Sequence, residues 1–253
     1  MCRLLGWATR RPTTLLDLVG AEDLNTFTEL STKHCDGWGV ARATETGVKV
    51  HKRADAARGS RAYARWARGY ASDLGMAHLR RATMGLSVGI ENTHPFTDGQ
   101  VAFAHNGSVL SPASLDGLVD PGVARLRRGT TDSERYFLAL LGRLRQGAAP
   151  ADALRDTVDE IAGSLPFTSL NCLLLTPEEL IAVARYDPAA DLEDEDPAEY
   201  YRLRYRVTDD AVVVSSSGWG RDWQELGNGD LLTVRRGTLE TRLLSGERQA
   251  AAR

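Results

Sequence analysis

Residues 1–7 of the chain read MCRLLGW, so a cysteine at position 2 opens a mostly apolar run. Such a short run predicts a buried β-strand over residues 2–8. Removal of the initiator methionine, which a small second residue permits, would make Cys2 the first residue. Its α-amine, titrating near ~8, would then lie beside a thiol titrating near ~8.5. Cys2 would thus supply both a nucleophile and a proton acceptor, although a cysteine also simply suits a buried strand.

Short polar motifs follow Cys2 along the first half of the chain. They are HCDGWG at 34–39, AHLRRATMG at 77–85, ENTHPF at 91–96, FAHNG at 103–107 and TTDSE at 130–134. In this order, with Cys2 in front of them, they resemble the glutaminase domain of class II glutamine amidotransferases, which are N-terminal-nucleophile hydrolases. The resemblance runs to about residue 134, and the remainder is compatible in length and pattern.

The hydrophobic pattern predicts a mixed α and β protein. Apolar residues recur at helical spacing after Asp132 and again from Leu154 to Leu165. Short apolar runs predict strands at 38–43, 47–52, 74–80, 101–105, 171–176, 180–185, 211–216 and 231–234. Strands, then two helices, then more strands fit sheets covered by helices. The resemblance makes this an α+β fold, a four-layer αββα sandwich, with one domain over residues 2–245 and a disordered tail over 246–253.

Composition and charge exclude several classes of partner. The chain has 253 residues, 42% of them apolar and 26% charged, and a net charge of −3. Neither a nucleic acid nor a membrane is therefore expected as a partner. No run approaches the ~20 apolar residues of a membrane span and no signal-peptide pattern is present, so the expected location is the cytoplasm. Three cysteines cannot all pair, and a disulfide framework is not expected.

The resemblance implies a catalytic role for three residues. Cys2 would attack the side-chain amide of glutamine, or of a γ-glutamyl amide, and form a γ-glutamyl thioester. The Asn106 side-chain amide and the Gly107 backbone N–H would form the oxyanion hole, in which one donor typically contributes ~3–4 kcal/mol. A glycine suits such a position because a side chain would obstruct the close approach of substrate.

The resemblance also implies a pocket for the glutamyl head group. Arg80 would bind the α-carboxylate, and Asp132 would bind the α-ammonium. Thr83 and the backbone near His94 would line the same pocket. Arg81 competes with Arg80, but strand alternation places it on the opposite face. Asp132 also suits the N-cap of the predicted helix and could serve both purposes.

Other polar residues have simpler interpretations. His94 and His105 are expected to support the substrate loop and the Asn106 turn, since an N-terminal amine makes a histidine base unnecessary. Trp38 is expected in the core. A zinc site built from His34, Cys35 and Cys2 has poor ligand spacing, and no nucleotide-binding motif occurs, so no metal or cofactor is expected. The acidic segment 187–199 is interpreted as a solvated loop rather than a docking site for a basic partner.

Three functions remain open at this point. Because the length leaves no room for a fused synthase, the resemblance points to the stand-alone subgroup. The first function is a γ-glutamyl amidohydrolase acting alone on glutamine or a conjugate. The second is a glutaminase subunit that supplies ammonia to a separate synthase. The third is a non-catalytic protein that binds γ-glutamyl ligands. This function is disfavoured by the joint presence of Cys2, Arg80, Asn106, Gly107 and Asp132. The sequence does not identify the γ-glutamyl substrate.

Overall fold

A computed structural model describes residues 2–82, 85, 87–192, 195–219 and 221–246. The strands are β1 (Arg3–Thr13), β2 (Trp38–Ala43), β3 (Val48–Arg53), β4 (Ser72–Leu79), β5 (Phe96–Thr97), β6 (Ala102–Asn106), β7 (Asn171–Leu175), β8 (Glu179–Val183), β9 (Arg204–Val207), β10 (Ala211–Ser215), β11 (Gln224–Glu225), β12 (Leu231–Arg235) and β13 (Thr241–Leu244). The helices are α1 (Leu15–Val19), α2 (Ala21–Glu29), α3 (Arg61–Gly69), α4 (Pro121–Ala124), α5 (Asp132–Arg145), α6 (Pro150–Ser164) and α7 (Pro197–Tyr200).

The strands form two antiparallel sheets. The first has the order β11-β9-β10-β1-β4-β2-β3, with β1 near its centre. The second has the order β13-β12-β8-β7-β6-β5. Strand β1 pairs with β4 and β10, placing Leu5 opposite Ala77 on one side and Ser215 on the other. Cys2 therefore lies at the end of a central strand.

The two sheets pack face to face through their apolar side chains. Leu4 on β1, Leu173 on β7 and Leu180 on β8 are fully buried in this shared core. Gly6 allows the sheets to approach closely, because a Cβ there would lie 2.9 Å from a Leu180 methyl. Burying each such leucine contributes roughly 1.5–3 kcal/mol. The run that begins at Cys2 is thus held rigidly between the layers.

Helices cover the outer faces of both sheets. Apolar residues of α1, α2 and α3 pack on the first sheet, where Leu5 and Trp7 form the facing surface. Apolar residues of α5 and α6 pack on the second sheet, against Phe103 and Leu174. The layers are helix, sheet, sheet and helix, which confirms the predicted four-layer αββα sandwich.

Most predicted elements are present, with several differences at their ends. Strand β1 continues to Thr13 instead of ending at residue 8, since its second half pairs with the neighbouring strands. Helix α3 and strands β9 and β13 had no predicted counterpart. In the predicted loop 187–199, the described residues 187–192, 195 and 196 form no helix or strand, and α7 begins at Pro197.

The N-cap of α5 is Thr131 and not Asp132, which corrects the prediction. The Thr131 hydroxyl accepts a 3.1 Å hydrogen bond from the Glu134 backbone N–H. Asp132 is the first helical residue, where its negative charge still suits the helix dipole.

Two predictions concern the extent of the chain. Most of the predicted tail, residues 247–253, lies outside the described residues, and the single domain over residues 2–245 stays a prediction. In the part of the chain that is described, no helix combines the length and apolarity needed to cross a bilayer.

Candidate active site

Cys2 is a buried thiol at the start of β1. Its residue is 9% exposed, and its Sγ lies 3.6 Å from the Arg81 backbone carbonyl, to which the thiol donates. Burial raises the pKa of the Cys2 thiol, while the Arg81 carbonyl contact and the nearby Arg80 charge act in the opposite direction. The resting form is therefore the thiol, and a thiolate would have to be generated by a base.

Arg80 follows β4 directly and lies beside Cys2. Its residue is only 2% exposed, and its guanidinium donates long hydrogen bonds of 3.4 Å to the carbonyls of Asp36 and Ser87. Burial lowers the pKa of Arg80, although the nearby Cys2 and acidic groups oppose this effect. Among the described residues, no carboxylate lies within ion-pair distance of it. A buried cation in this state favours an anionic ligand.

Arg81, the competing arginine, is exposed. The two arginines therefore differ in exposure as predicted, but both lie beyond the end of β4 at Leu79, so strand alternation is not the cause. Their roles in substrate binding stay predictions.

Asn106 ends strand β6 and is fully buried. Neither its side-chain nitrogen nor its oxygen has a hydrogen-bond partner in the described part of the structure. Its neighbour across the ladder, Asn171, is also fully buried but donates to the Tyr201 carbonyl and accepts from the Arg185 N–H. An unpaired buried amide is costly, so Asn106 is poised to gain a partner when a ligand binds.

Gly107 follows Asn106 where the chain leaves β6. Its φ is 158°, and a Cβ there would overlap the Ser169 backbone carbonyl. Only glycine fits this close backbone approach without displacing the neighbouring chain. Its predicted role as an oxyanion donor stays a prediction.

Asp132 reaches back from the start of α5 toward the end of β6. One carboxylate oxygen accepts a 2.8 Å hydrogen bond from the Val109 N–H, and the other accepts a 3.3 Å bond from the Ser133 hydroxyl. Asp132 also acts to raise the Cys2 pKa, so its charge lies near the thiol. The fold brings Cys2, Arg80 and Asp132 into one region. Thr83, predicted to line the same pocket, lies outside the described residues.

The buried histidines surround this region in their neutral form. The rings of His78 and His94 are in contact, with centroids 4.2 Å apart and planes tilted by 37°. The His105 ring nitrogens lie 2.9 Å from the Ser133 hydroxyl and 2.9 Å from the Ser169 carbonyl. Burial lowers the pKa of His78 to about 3, and burial also lowers the pKa of His94 and His105. His105 connects β6 to α5, as expected of a support. The part of His94 in substrate binding stays a prediction.

The roles of Asp36 and Lys52, which hold the segments around the site in place, were not predicted from the sequence. The Asp36 carboxylate accepts a 2.8 Å hydrogen bond from the Ala82 N–H, which fixes the chain on either side of Arg80 and Arg81. The Lys52 ammonium donates to the Thr93 and Pro95 carbonyls at 2.5 and 3.2 Å and holds the loop that carries His94. Nothing in the local pattern of β3 reveals this, because the loop is distant in sequence. Trp38, expected in the core, is fully buried.

A surface cavity of about 490 Å³ lies elsewhere, between α6, β12 and β13. Its lining includes Arg155, Leu231 and Leu243 and none of the residues above. The described residues that line it include no cysteine, so the chemistry is assigned to the Cys2 region rather than to this cavity.

Comparison with known proteins decides the family. The sequence profile of "Glutamine amidotransferases class-II" matches residues 1–252. The chain belongs to the class II glutamine amidotransferases. A glutamine aminotransferase class-II domain protein from Silicibacter pomeroyi superposes on this amidotransferase with a TM-score of 0.70 at 20% identity, covering 97% of this chain and 99% of that one. That likeness shows the fold.

Two sequence relatives span most of this amidotransferase. The gamma-glutamyl-hercynylcysteine sulfoxide hydrolase of Mycolicibacterium smegmatis is 27% identical over 249 residues, which cover 93% of this chain and 96% of that protein. An uncharacterized protein of Methanocaldococcus jannaschii is 28% identical over 267 residues, which cover 94% of this chain and 70% of that protein.

Proposed function

We propose that this class II amidotransferase is an amidohydrolase that cleaves the side-chain amide of glutamine or of a γ-glutamyl amide through a thioester on Cys2. The observation that carries the proposal is a buried thiol beside a buried guanidinium, Arg80, which has no carboxylate partner among the described residues. This arrangement suits a substrate with a carboxylate at a fixed distance from an electrophilic carbonyl. A γ-glutamyl amide has both groups.

The head group would bind on the inner side of Cys2. Arg80 would receive the α-carboxylate and Asp132 the α-ammonium, with Thr83 and the backbone near His94 beside them. Opposite charges at the two ends fix the orientation of the substrate. The Asp132 carboxylate already accepts bonds from Val109 and Ser133, which fix its position before substrate arrives.

The first half of the reaction would form the thioester. The α-amine of Cys2, exposed once Met1 is removed, takes the thiol proton directly or through water, and Sγ forms a bond to the amide carbon. The negative charge moves to the carbonyl oxygen, where the Asn106 amide and the Gly107 N–H donate hydrogen bonds. The carbon–nitrogen bond then breaks, and the departing amine takes the proton from the α-ammonium of Cys2.

The second half would release glutamate. Water loses a proton to the Cys2 amine and attacks the thioester carbon, with the oxyanion in the same site. The carbon–sulfur bond breaks, and the thiol recovers its proton. Each step uses the chain's own groups, so no cofactor takes part in the proposal.

The hydrolase relative supports hydrolysis over ammonia supply, because the aligned region covers nearly all of both chains. The competing function, ammonia supply to a separate synthase, would give slow glutaminase activity that a partner raises strongly. Purified protein is assayed for glutamate release from glutamine, glutathione and other γ-glutamyl amides, without ATP and with EDTA. Turnover of a conjugate supports the hydrolase. Negligible turnover of the whole panel, restored by a copurifying synthase, overturns it.

The nucleophile is tested by mass and by labelling. Intact mass spectrometry should show loss of Met1, and 6-diazo-5-oxo-norleucine should label Cys2 but neither exposed Cys35 nor buried Cys172. Cys2→Ala and Cys2→Ser should lose activity by several orders of magnitude. Fully active protein that retains Met1 would exclude the amine as the base, because that nitrogen would be an amide.

A further inference from the structure

Arg3 directly follows the nucleophile at the start of β1. It is half-buried, and its guanidinium donates a 3.3 Å hydrogen bond to the Cys2 carbonyl. Its guanidinium carbon lies 5.5 Å from the centroid of the Tyr200 ring, a cation–π distance. Tyr200, the last residue of α7, therefore helps to hold Arg3 next to Cys2.

Arg81 is a second cationic residue that contacts Cys2. Its carbonyl contacts the Cys2 thiol, whereas its side chain is exposed. Burial raises the pKa of Tyr200, and the charges of Arg3 and Arg81 both oppose that rise. Burial, together with the charges of Arg3 and Arg81, lowers the pKa of His34 to about 3. Both guanidiniums therefore lie within electrostatic range of the Tyr200 phenol and the His34 imidazole.

The described acidic residues near Tyr200 form no ion pair with either arginine. Glu195 lies close enough to Tyr200 to contribute to the rise of its pKa. Within the described residues, however, no carboxylate is within ion-pair distance of Arg3 or Arg81. The position of these charges matters because the amine portion of a bound substrate must extend from Cys2 in a fixed direction.

That direction follows from the proposed function, on which this inference rests. With the glutamyl head group held at Arg80 and Asp132 and the amide carbon at Cys2, the amine portion must extend outward. We propose that Arg3 and Arg81, with Tyr200 supporting Arg3, bind a carboxylate on the amine portion of the substrate. The substrate class is then γ-glutamyl amino acids and γ-glutamyl peptides, in preference to glutamine and γ-glutamyl alkylamines.

The chemistry of the two arginines suits a carboxylate. A guanidinium has donors in a planar fork that matches the two oxygens, and stacking on an aromatic ring reduces its freedom before the ligand arrives. The sites are partly exposed, so the gain is modest: about tenfold in kcat/KM, equivalent to ~1.4 kcal/mol.

The test uses two substrates that differ only by the carboxylate. L-γ-glutamyl-L-alanine and L-γ-glutamylethylamide share the head group, the amide and the carbon chain of the amine. The wild-type protein should prefer γ-glutamylalanine by about tenfold in kcat/KM. Arg3→Gln and Arg81→Gln should each lower this preference, and the double variant should bring it close to unity. Arg81→Lys, which keeps the charge, should retain part of it.

The control is Arg11→Gln, an exposed arginine near the far end of β1, which should keep the wild-type preference. Raising the salt concentration should reduce the preference in the wild type and leave little to reduce in the double variant.

The outcomes separate this inference from the proposed function. Equal kcat/KM for the two substrates, with labelling and loss of activity at Cys2 as expected, overturns the carboxylate subsite and leaves the hydrolase intact. A tenfold preference that persists in the double variant also overturns it. Failure to hydrolyse either substrate overturns the hydrolase and the subsite together.

Discussion

Asn106 and Asn171 offer a direct test of the proposed oxyanion hole. They are two asparagines in the same strand ladder, and they differ in their hydrogen bonding. Both are fully buried and stand opposite each other on β6 and β7. Asn171 has two hydrogen bonds, and Asn106 has none in the described structure. The matched substitutions are Asn106→Ala and Asn171→Ala, which remove the same atoms.

The two variants should differ in stability. Asn171→Ala leaves the Tyr201 carbonyl and the Arg185 N–H buried without partners, at a cost of ~1–3 kcal/mol each. Asn106→Ala leaves no protein group unpaired and removes two unpaired polar atoms. Since the cavity created is similar, the difference in unfolding free energy should be at least ~2 kcal/mol. For a chain of this size that corresponds to a melting temperature roughly 4–8 °C lower for Asn171→Ala.

Activity should change in the opposite order. If Asn106 donates to the oxyanion, Asn106→Ala lowers kcat by ~10²–10³, the usual effect of removing one such donor. The assays are thermal unfolding of both variants and glutamate release by Asn106→Ala under saturating substrate. Should Asn106→Ala destabilise the protein as much as Asn171→Ala, Asn106 has a structural partner and the reasoning fails. A stable Asn106→Ala variant with normal kcat would remove it from the oxyanion hole.

Three further predictions concern the head group, the turn after β6 and the buried histidines. Arg80→Ala and Asp132→Asn should each lower kcat/KM by the equivalent of ~2–5 kcal/mol, and by similar factors for every γ-glutamyl substrate. A loss that depends on the amine portion would contradict the assignment. Gly107→Ala should lower the melting temperature because the added Cβ would overlap the Ser169 carbonyl. Gly117→Ala should not, because an added Cβ at Gly117 would meet no other atom within 4 Å. Equal effects of the two substitutions would refute the steric argument. The pKa of His78 is about 3 in the folded protein and ~6.5 in the unfolded chain. Between these pH values only the unfolded chain binds a proton at His78, so the free energy of unfolding falls as the pH falls. His78→Gln should reduce that pH slope by up to ~1.4 kcal/mol per pH unit, measured by urea unfolding, while exposed His51→Gln should keep it.

Local pattern was sufficient for most of the secondary structure. The two-residue alternation and short apolar runs located β2, β3, β7, β8, β10 and β12 within a residue or two, and the 3.6-residue period located α5 and α6. Helix α3 was missed although Tyr63, Trp66 and Ala67 are buried at helical spacing. The many arginines in that helix obscured the apolar stripe.

The sequence by itself determined the order of the chemistry-bearing motifs and, through them, the family and the sandwich fold. It also named Cys2, Arg80, Asn106, Gly107 and Asp132, because each belongs to a short motif with a recognisable order along the chain. Such information is local, since it depends only on residue type and spacing.

Tertiary structure decided everything that depends on strand order. The placement of β1 between β4 and β10 brings Arg80 and Arg81 to Cys2, and α7 brings Tyr200 to Arg3. The ladder between β6 and β7 decides that Asn171 is bonded and Asn106 is not. These partners are far apart in the chain, so no local periodicity encodes them; they meet because the sheets must bury their apolar faces against each other.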